Sequence, residues 1–251
     1  MVWGINEPVK LERDTEVGTR PAHSYHFVIQ EGYDVLPSFN PTLFWQGMEK
    51  AHTKFADILR GIGTWRYSGA PAISLHTKKG TRWHTNLDIA VLRQEAPFIE
   101  MTRRMATAGW YLFERKVHGG ILPHTIKLRN HTKLILLEYV HPREELAIRK
   151  PNRNLVFVKV DQKGQIRYTD YLEDRVNVYL HHQEGERLVC SEDKFTCSPA
   201  EFQRVDYRFP TTTIPLITLE YLTRRKKQLV KEREYKHADP SKHVQDLLKL
   251  G

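Results

Sequence analysis

Cysteine is scarce in this chain: two residues in 251, Cys190 and Cys197, close together in "LVCSEDKFTCSP". A disulfide across a hairpin is sterically open to them, while two reduced thiols are the commoner state in a cytosolic protein. No CxxC occurs, and the histidines do not pair with cysteines at ligand spacing, which excludes the usual zinc sites. Long apolar runs are also missing, since nothing approaches the roughly 18 residues that a membrane span needs. The opening stretch "MVWGINEPVKLERD" carries charge where a secretion signal would be apolar. The expectation is a cytoplasmic protein that does not enter a membrane. Acidic residues are the minority, 30 against 39 Lys and Arg, for a net charge of +9. That balance favours anionic partners such as nucleotides, phosphates or RNA. Finally, no aspartate occurs between Asp88 and Asp161, and this narrows where acidic ligands can come from.

What is present suffices for a real core, at 40% hydrophobic residues, in one large domain or two small ones. Residues 1–40 show little periodicity and read as an N-terminal arm or loops. "NPTLFWQGMEKAHTKFADILRGIG" opens with Asn40 as a cap and Pro41 at the first helical position. Its apolar residues recur at helical spacing until Gly61 and Gly63. "TWRYSGA" predicts a short strand entering a small-residue turn, "APAISLHT" a brief helix, and "LDIAVL" an apolar strand. "APFIEMTRRMATAG" reads as a helix stopped at Gly109 and "WYLFERKV" as a strand. "TIKLRN" and "HTKLILLEYV" follow as two strands, and "LVFVKVDQKGQIRYTDY" as a β-hairpin. "RVNVYLHH" and "RLVCSE" continue the β pattern. From Ile214 to Leu250 a helical pattern is expected, broken at "HADPSK". The fold class is therefore α+β (mixed α/β): a mixed-sheet core over 41–150, a β-rich extension over 151–213 and a C-terminal helical segment over 214–251, in one compact unit.

The strand of greatest chemical interest lies in "GTRWHTNLDIAVLRQE". Residues two apart on a strand share a face, so His84, Asn86 and Asp88 align opposite Leu87, Ile89 and Val91. An unpaired charge in an apolar strand costs several kcal/mol, on the order of buried-charge penalties. Asp88 therefore sits at the strand's open end or has a cation partner. Phosphoryl transfer uses such a ledge, where carboxylates hold Mg²⁺ against a triphosphate. Upstream, "YSGAP" offers a turn of small residues where backbone N–H groups can approach phosphate, and Lys78, Lys79 and Arg82 lie between the two elements.

The block from Trp65 to Phe113 resembles the aminoglycoside and lincosamide nucleotidyltransferases of the DNA polymerase β superfamily. Trp65 falls on that family's strand Trp, Ser68–Gly69 on its Gly-Gly or Gly-Ser turn, and Arg82, His84, Asn86 and Asp88 on its Arg-x-His-x-Asp-x-Asp motif. "PSKHVQDLL" looks like its Lys-Asp-x-x-Asp helix start, with Lys242 and Asp246 matching and His243 in place of Asp. The resemblance implies a mixed-sheet core that binds ATP or another NTP with Mg²⁺ and passes a nucleoside monophosphate to a hydroxyl of a small molecule. Ser68 and Gly69 would cradle the triphosphate, Arg82 and Lys242 would contact phosphate, and Asp88 would ligate metal. The chain departs from the family at Asn86, a neutral amide where the first metal carboxylate belongs. The third carboxylate is expected on "HTKLILLEYV", where Glu138 is the available acid; it can equally cap the strand's end, with Lys133 nearby. A polycationic aminoglycoside is a poor partner for a chain of this charge, so a neutral or anionic acceptor, or RNA, fits better.

Three functions follow. The first is nucleotidyl transfer with a thinned metal site of Asp88, Asn86 and Glu138. The second keeps the fold without that reaction, as a metal-independent acid–base enzyme of specialised metabolism in which His84, with Asp88, Arg82 and His76, acts as a base; a plain hydrogen-bonding role is the simpler fate for His84. The third is a binding module using the basic run "LTRRKKQLVKEREYKH", Leu222 to His237. That run is either a solvated helix face or a phosphate-facing patch, and its aromatics do not interleave with the charges as stacking platforms would.

Overall fold

The computed structural model describes residues 38–80, 82–84, 86–114, 154–160 and 175–250 with their side chains, and elsewhere the backbone of short strands. In chain order come β1 (Gly4–Ile5), β2 (Val9–Leu11), β3 (Tyr25–Gly32), α1 (Pro41–Ile58), β4 (Trp65–Ser68), α2 (Gly69–Thr77) and β5 (Leu87–Leu92). Next are α3 (Glu95–Thr107), β6 (Trp110–Lys116), β7 (Thr125–Lys127), β8 (Lys133–Leu136), β9 (Asn154–Lys159) and β10 (Gln165–Thr169). The chain continues with β11 (Arg175–Glu184), β12 (Arg187–Cys190), β13 (Thr196–Cys197), β14 (Arg204–Arg208) and β15 (Thr213–Ile217). It ends in two helices, α4 (Leu219–Tyr235) and α5 (Ser241–Leu248).

The expected mixed α+β fold is what the chain adopts. One mixed sheet runs β14-β15-β4-β5-β11-β9-β6-β8-β7, with β12 and β13 extending from the far half of β11. β5 lies antiparallel to β4 and parallel to β11. Its Leu87, Ile89 and Val91 face one way, where Tyr67 and Trp65 stand abreast of Ile89 and Val91 and α1 covers them through Phe55, 5.7 Å from the Trp65 ring and 6.0 Å from Tyr67. α1 begins as its sequence demands: Asn40 is extended and its Oδ1 accepts the Leu43 N–H at 3.1 Å, satisfying an otherwise orphaned donor. The other face of β4, β5 and β11 carries Ser68, Asp88, Asn177 and Tyr179, and α4 lies over it. Among the described residues no helix is long and apolar enough to cross a membrane. Cys190 and Cys197 are free, buried thiols, both pushed up to about 12 by burial.

Four expectations change. β9 and β10 do not form a hairpin: β10 pairs in parallel with β3, in a small sheet that also holds β1 and β2. Both edges of β9 are already taken by β11 and β6, so it has no ladder to offer its chain neighbour. The first 40 residues, expected as an arm or loops, contain the strands β1, β2 and β3. The helical pattern expected from Ile214 is instead the strand β15 up to Ile217, flanked by β14 and β4; a short apolar run buried on both faces has no period to betray it. The sheet also crosses the 150/151 boundary, since β9 and β11 lie in its middle.

Candidate functional site

β4 delivers Ser68 directly abreast of Asp88, and the next residue, Gly69, opens α2 with φ +70°. A β-carbon there would meet Asp88 Oδ2 at 1.9 Å, so glycine is needed both for its backbone angle and for the space it leaves. The Asp88 carboxylate thus sits against the first turn of α2, the favourable end of the helix dipole for a negative charge. Ser68 is 1% exposed, and among the described residues its hydroxyl has no hydrogen-bond partner. The small-residue turn and the acidic strand therefore meet in one place.

Asp88 Oδ1 accepts N–H groups from two amides, Asn86 Nδ2 and Asn177 Nδ2, each at 2.8 Å, and lies 3.5 Å from the Tyr179 hydroxyl. Asn177 stands abreast of Asp88 on β11 and was not among the site residues expected from the sequence. The available signal was "RVNVYL", a strand with Asn177 and Tyr179 on one face of an otherwise apolar run. Glu138 lies outside the described residues, and β8, the described part of its expected strand, is separated from β5 by β6, β9 and β11. Among the described residues no cluster of three or more His, Cys, Asp or Glu side chains could hold a metal. Turned over, each amide would offer one neutral oxygen, leaving a single formal negative charge. Mg²⁺ is a hard cation held by carboxylates and phosphates, and among the described residues a donor set of one carboxylate already occupied by N–H groups does not fit it.

Around Asp88 opens a cavity of about 830 Å³, lined among others by Gly69, Arg82, His84, Asn86, Asp88 and Lys242. Six of the sequence-predicted site residues thus share it. Its charge is set by a buried hub. Asp246 on α5 is fully buried; it accepts from Arg82 Nη2 at 3.2 and 3.3 Å and from Lys226 Nζ at 2.8 Å, with Lys249 Nζ 3.7 Å away. Burial alone would raise this carboxyl, but Lys226, Arg82 and Lys249 outweigh it and hold it below the usual carboxylate range. Partial burial and the neighbouring Arg233, Lys226 and Arg82 lower the Lys242 ammonium, opposed by Asp88. On the other side, Arg225 is tied to Asp193 at 2.6 Å and lies 3.9 Å over the Tyr179 ring.

His84 is buried, hydrogen-bonded to Ser74 Oγ at 3.1 Å and packed on Phe44. Burial, then Arg82 and Lys249, push its imidazole well below 6.5, so it is neutral and bonded to a hydroxyl rather than to a carboxylate. His76 is hydrogen-bonded to the Ile217 carbonyl at 2.8 Å and is not part of the cavity wall. The basic run divides: Arg224 pairs with Glu201, Arg225 with Asp193 and Lys226 with Asp246, while Arg233 and Lys236 line the cavity.

No family model matches the sequence, and no curated protein matches it. Among solved structures, the chain is similar to an antigenic nucleotidyltransferase-like protein from Paracoccidioides brasiliensis, with a TM-score of 0.42 and 8% identity over 81% of this chain and 74% of that one. A likeness of that size carries no argument about activity.

Proposed function

We propose that this chain is a nucleotidyltransferase-like protein that binds a nucleoside phosphate such as ATP in the Asp88 cavity but no longer transfers the nucleotide. The observation that carries the reading is the pair of amide N–H groups, from Asn86 and Asn177, bonded to the one carboxylate of the ledge. Nucleotidyl transfer to a small-molecule hydroxyl needs Mg²⁺ held by acidic ligands to neutralise the phosphates and align the attack, and one occupied carboxylate supplies too little charge for that. Phosphate binding needs less. Arg82 and Lys242 supply positive charge in the same cavity, beside the start of α2. The acid–base alternative is weaker, because a neutral His84 bonded to Ser74 has no carboxylate to set its tautomer.

Calorimetry with ATP, in EDTA and again in Mg²⁺, tests this. The expected result is the same affinity in both and no pyrophosphate release with any hydroxyl acceptor. Binding that appears only with Mg²⁺, or pyrophosphate release that EDTA abolishes, would restore the transferase.

A further inference from the structure

The cavity runs on along α4 beyond Asp88 and Arg82. One wall is a single face of α4, on which Leu222, Lys226, Leu229, Arg233 and Lys236 all line it, the three-and-four spacing of one helical stripe. From Lys226 to Lys236 the helix axis advances about 15 Å at 1.5 Å per residue. Lys226 belongs to the inner end, bound to Asp246. Toward the outer end stand Arg233 and Lys236; Lys242 and Lys194 also line the cavity. Among the described residues none of these four makes a side-chain hydrogen bond or salt bridge. Of the acids near this end, Glu232 accepts from Gln228 at 2.7 Å, and Asp239 accepts from the backbone and hydroxyl of Ser241, each at 2.8 Å, while also acting at longer range on Arg233 and Lys242; Glu192 lines the cavity as well.

A row of cations without direct salt bridges among the described residues, spread over such a length, suits a chain of phosphates better than one compact group. The lining is more polar than apolar, and the ring of Tyr179 carries Arg225 on one face, which leaves it poorly placed among the described residues as a base-stacking platform. Recognition through phosphates alone is indifferent to base identity.

We infer that the outer part of this cavity is a phosphodiester track that holds the end of a single-stranded nucleic acid. The inference rests on reading the inner end as a nucleoside-phosphate site, which would take the terminal nucleotide. Four phosphate contacts on a single strand give a slope of log affinity on log salt of about −2.8, hence roughly a fiftyfold loss between 50 and 200 mM salt.

The test is fluorescence anisotropy of a labelled single-stranded RNA of about 12 nucleotides, within known single-strand site sizes, with the full chain over that salt range. Inorganic polyphosphate is titrated in parallel, and ATP binding is followed by calorimetry. The expected slope is near −2.8 for the native chain and about −1.4 for Arg233→Ala/Lys236→Ala, which removes two contacts, with ATP affinity unchanged in the variant. A slope that the double substitution leaves alone, or polyphosphate binding without RNA binding, overturns the track. ATP binding without RNA binding rejects the track and keeps the inner-site reading. RNA binding without ATP binding keeps the track and rejects the inner-site reading.

Discussion

Asp88 receives N–H groups from Asn86, two residues earlier in the chain, and from Asn177, abreast of it on the adjoining strand. Changing both to aspartate would set three carboxylates together with no cation between them. Like charges at that range raise one another's pKa and destabilise the folded state, and a divalent cation relieves the strain. The double variant Asn86→Asp/Asn177→Asp should therefore melt below the native chain, recover on adding Mn²⁺, and show bound Mn²⁺ by electron paramagnetic resonance where the native chain shows none. Equal Mn²⁺ signals from the two proteins would reject the account of the site. At this scale Gly69, Asn86 and Asp88 were legible, because a period of two and a small-residue turn are local properties. Asn177 was not, because nothing in "RVNVYL" tells which strand will lie beside it.

Among the elements, α5 owes its place to one buried carboxylate. Asp246 gathers Arg82 from the loop before β5, Lys226 from α4 and Lys249 at the C-cap of α5, so a single side chain joins these segments at the cavity wall. Asp246→Asn keeps the shape and removes the charge, leaving the buried cations uncompensated at a cost of about 3–5 kcal/mol. Denaturant titration should register that loss, and amide exchange over residues 241–248 should accelerate; native stability in the variant would mean that α5 is held by its apolar contacts. The sequence match at Lys242 and Asp246 pointed to this helix without indicating that Asp246 faces inward. The same scale explains the missed hairpin: "DQKG" is a good local turn signal, yet β9 has partners on both edges, and strand pairing is decided by the whole sheet.

For the molecule as a whole, the histidines set the response to acid. Burial depresses His52 to about 4, and His181, fully buried against the Tyr221 hydroxyl at 2.8 Å, to about 3. His243 also falls to about 4, through burial and then Lys226 and Lys242. In the unfolded chain these groups titrate near pH 6.5. Between the folded and unfolded values the unfolded state binds more protons, so stability is full above about pH 6.5 and is lost as the pH falls toward 4. The depressed carboxyl of Asp246 extends the loss below that. Melting temperatures across pH 7.5 to 4.5 should fall from the mid-sixes downward; a flat profile would show that these rings are not excluded from protonation.

The amino-acid order by itself determined the helix after Asn40, the strand–turn–helix from Trp65, the acidic strand from Leu87 and the mixed class, since each rests on spacing, caps and turns within a few residues. Only tertiary structure decided that Asn177 stands beside Asp88, that Lys226 faces Asp246 twenty positions away, and that β10 joins β3. Those pairings depend on which edges and charges remain unsatisfied once the sheet has closed, and such remainders belong to the assembled chain, not to any stretch of it.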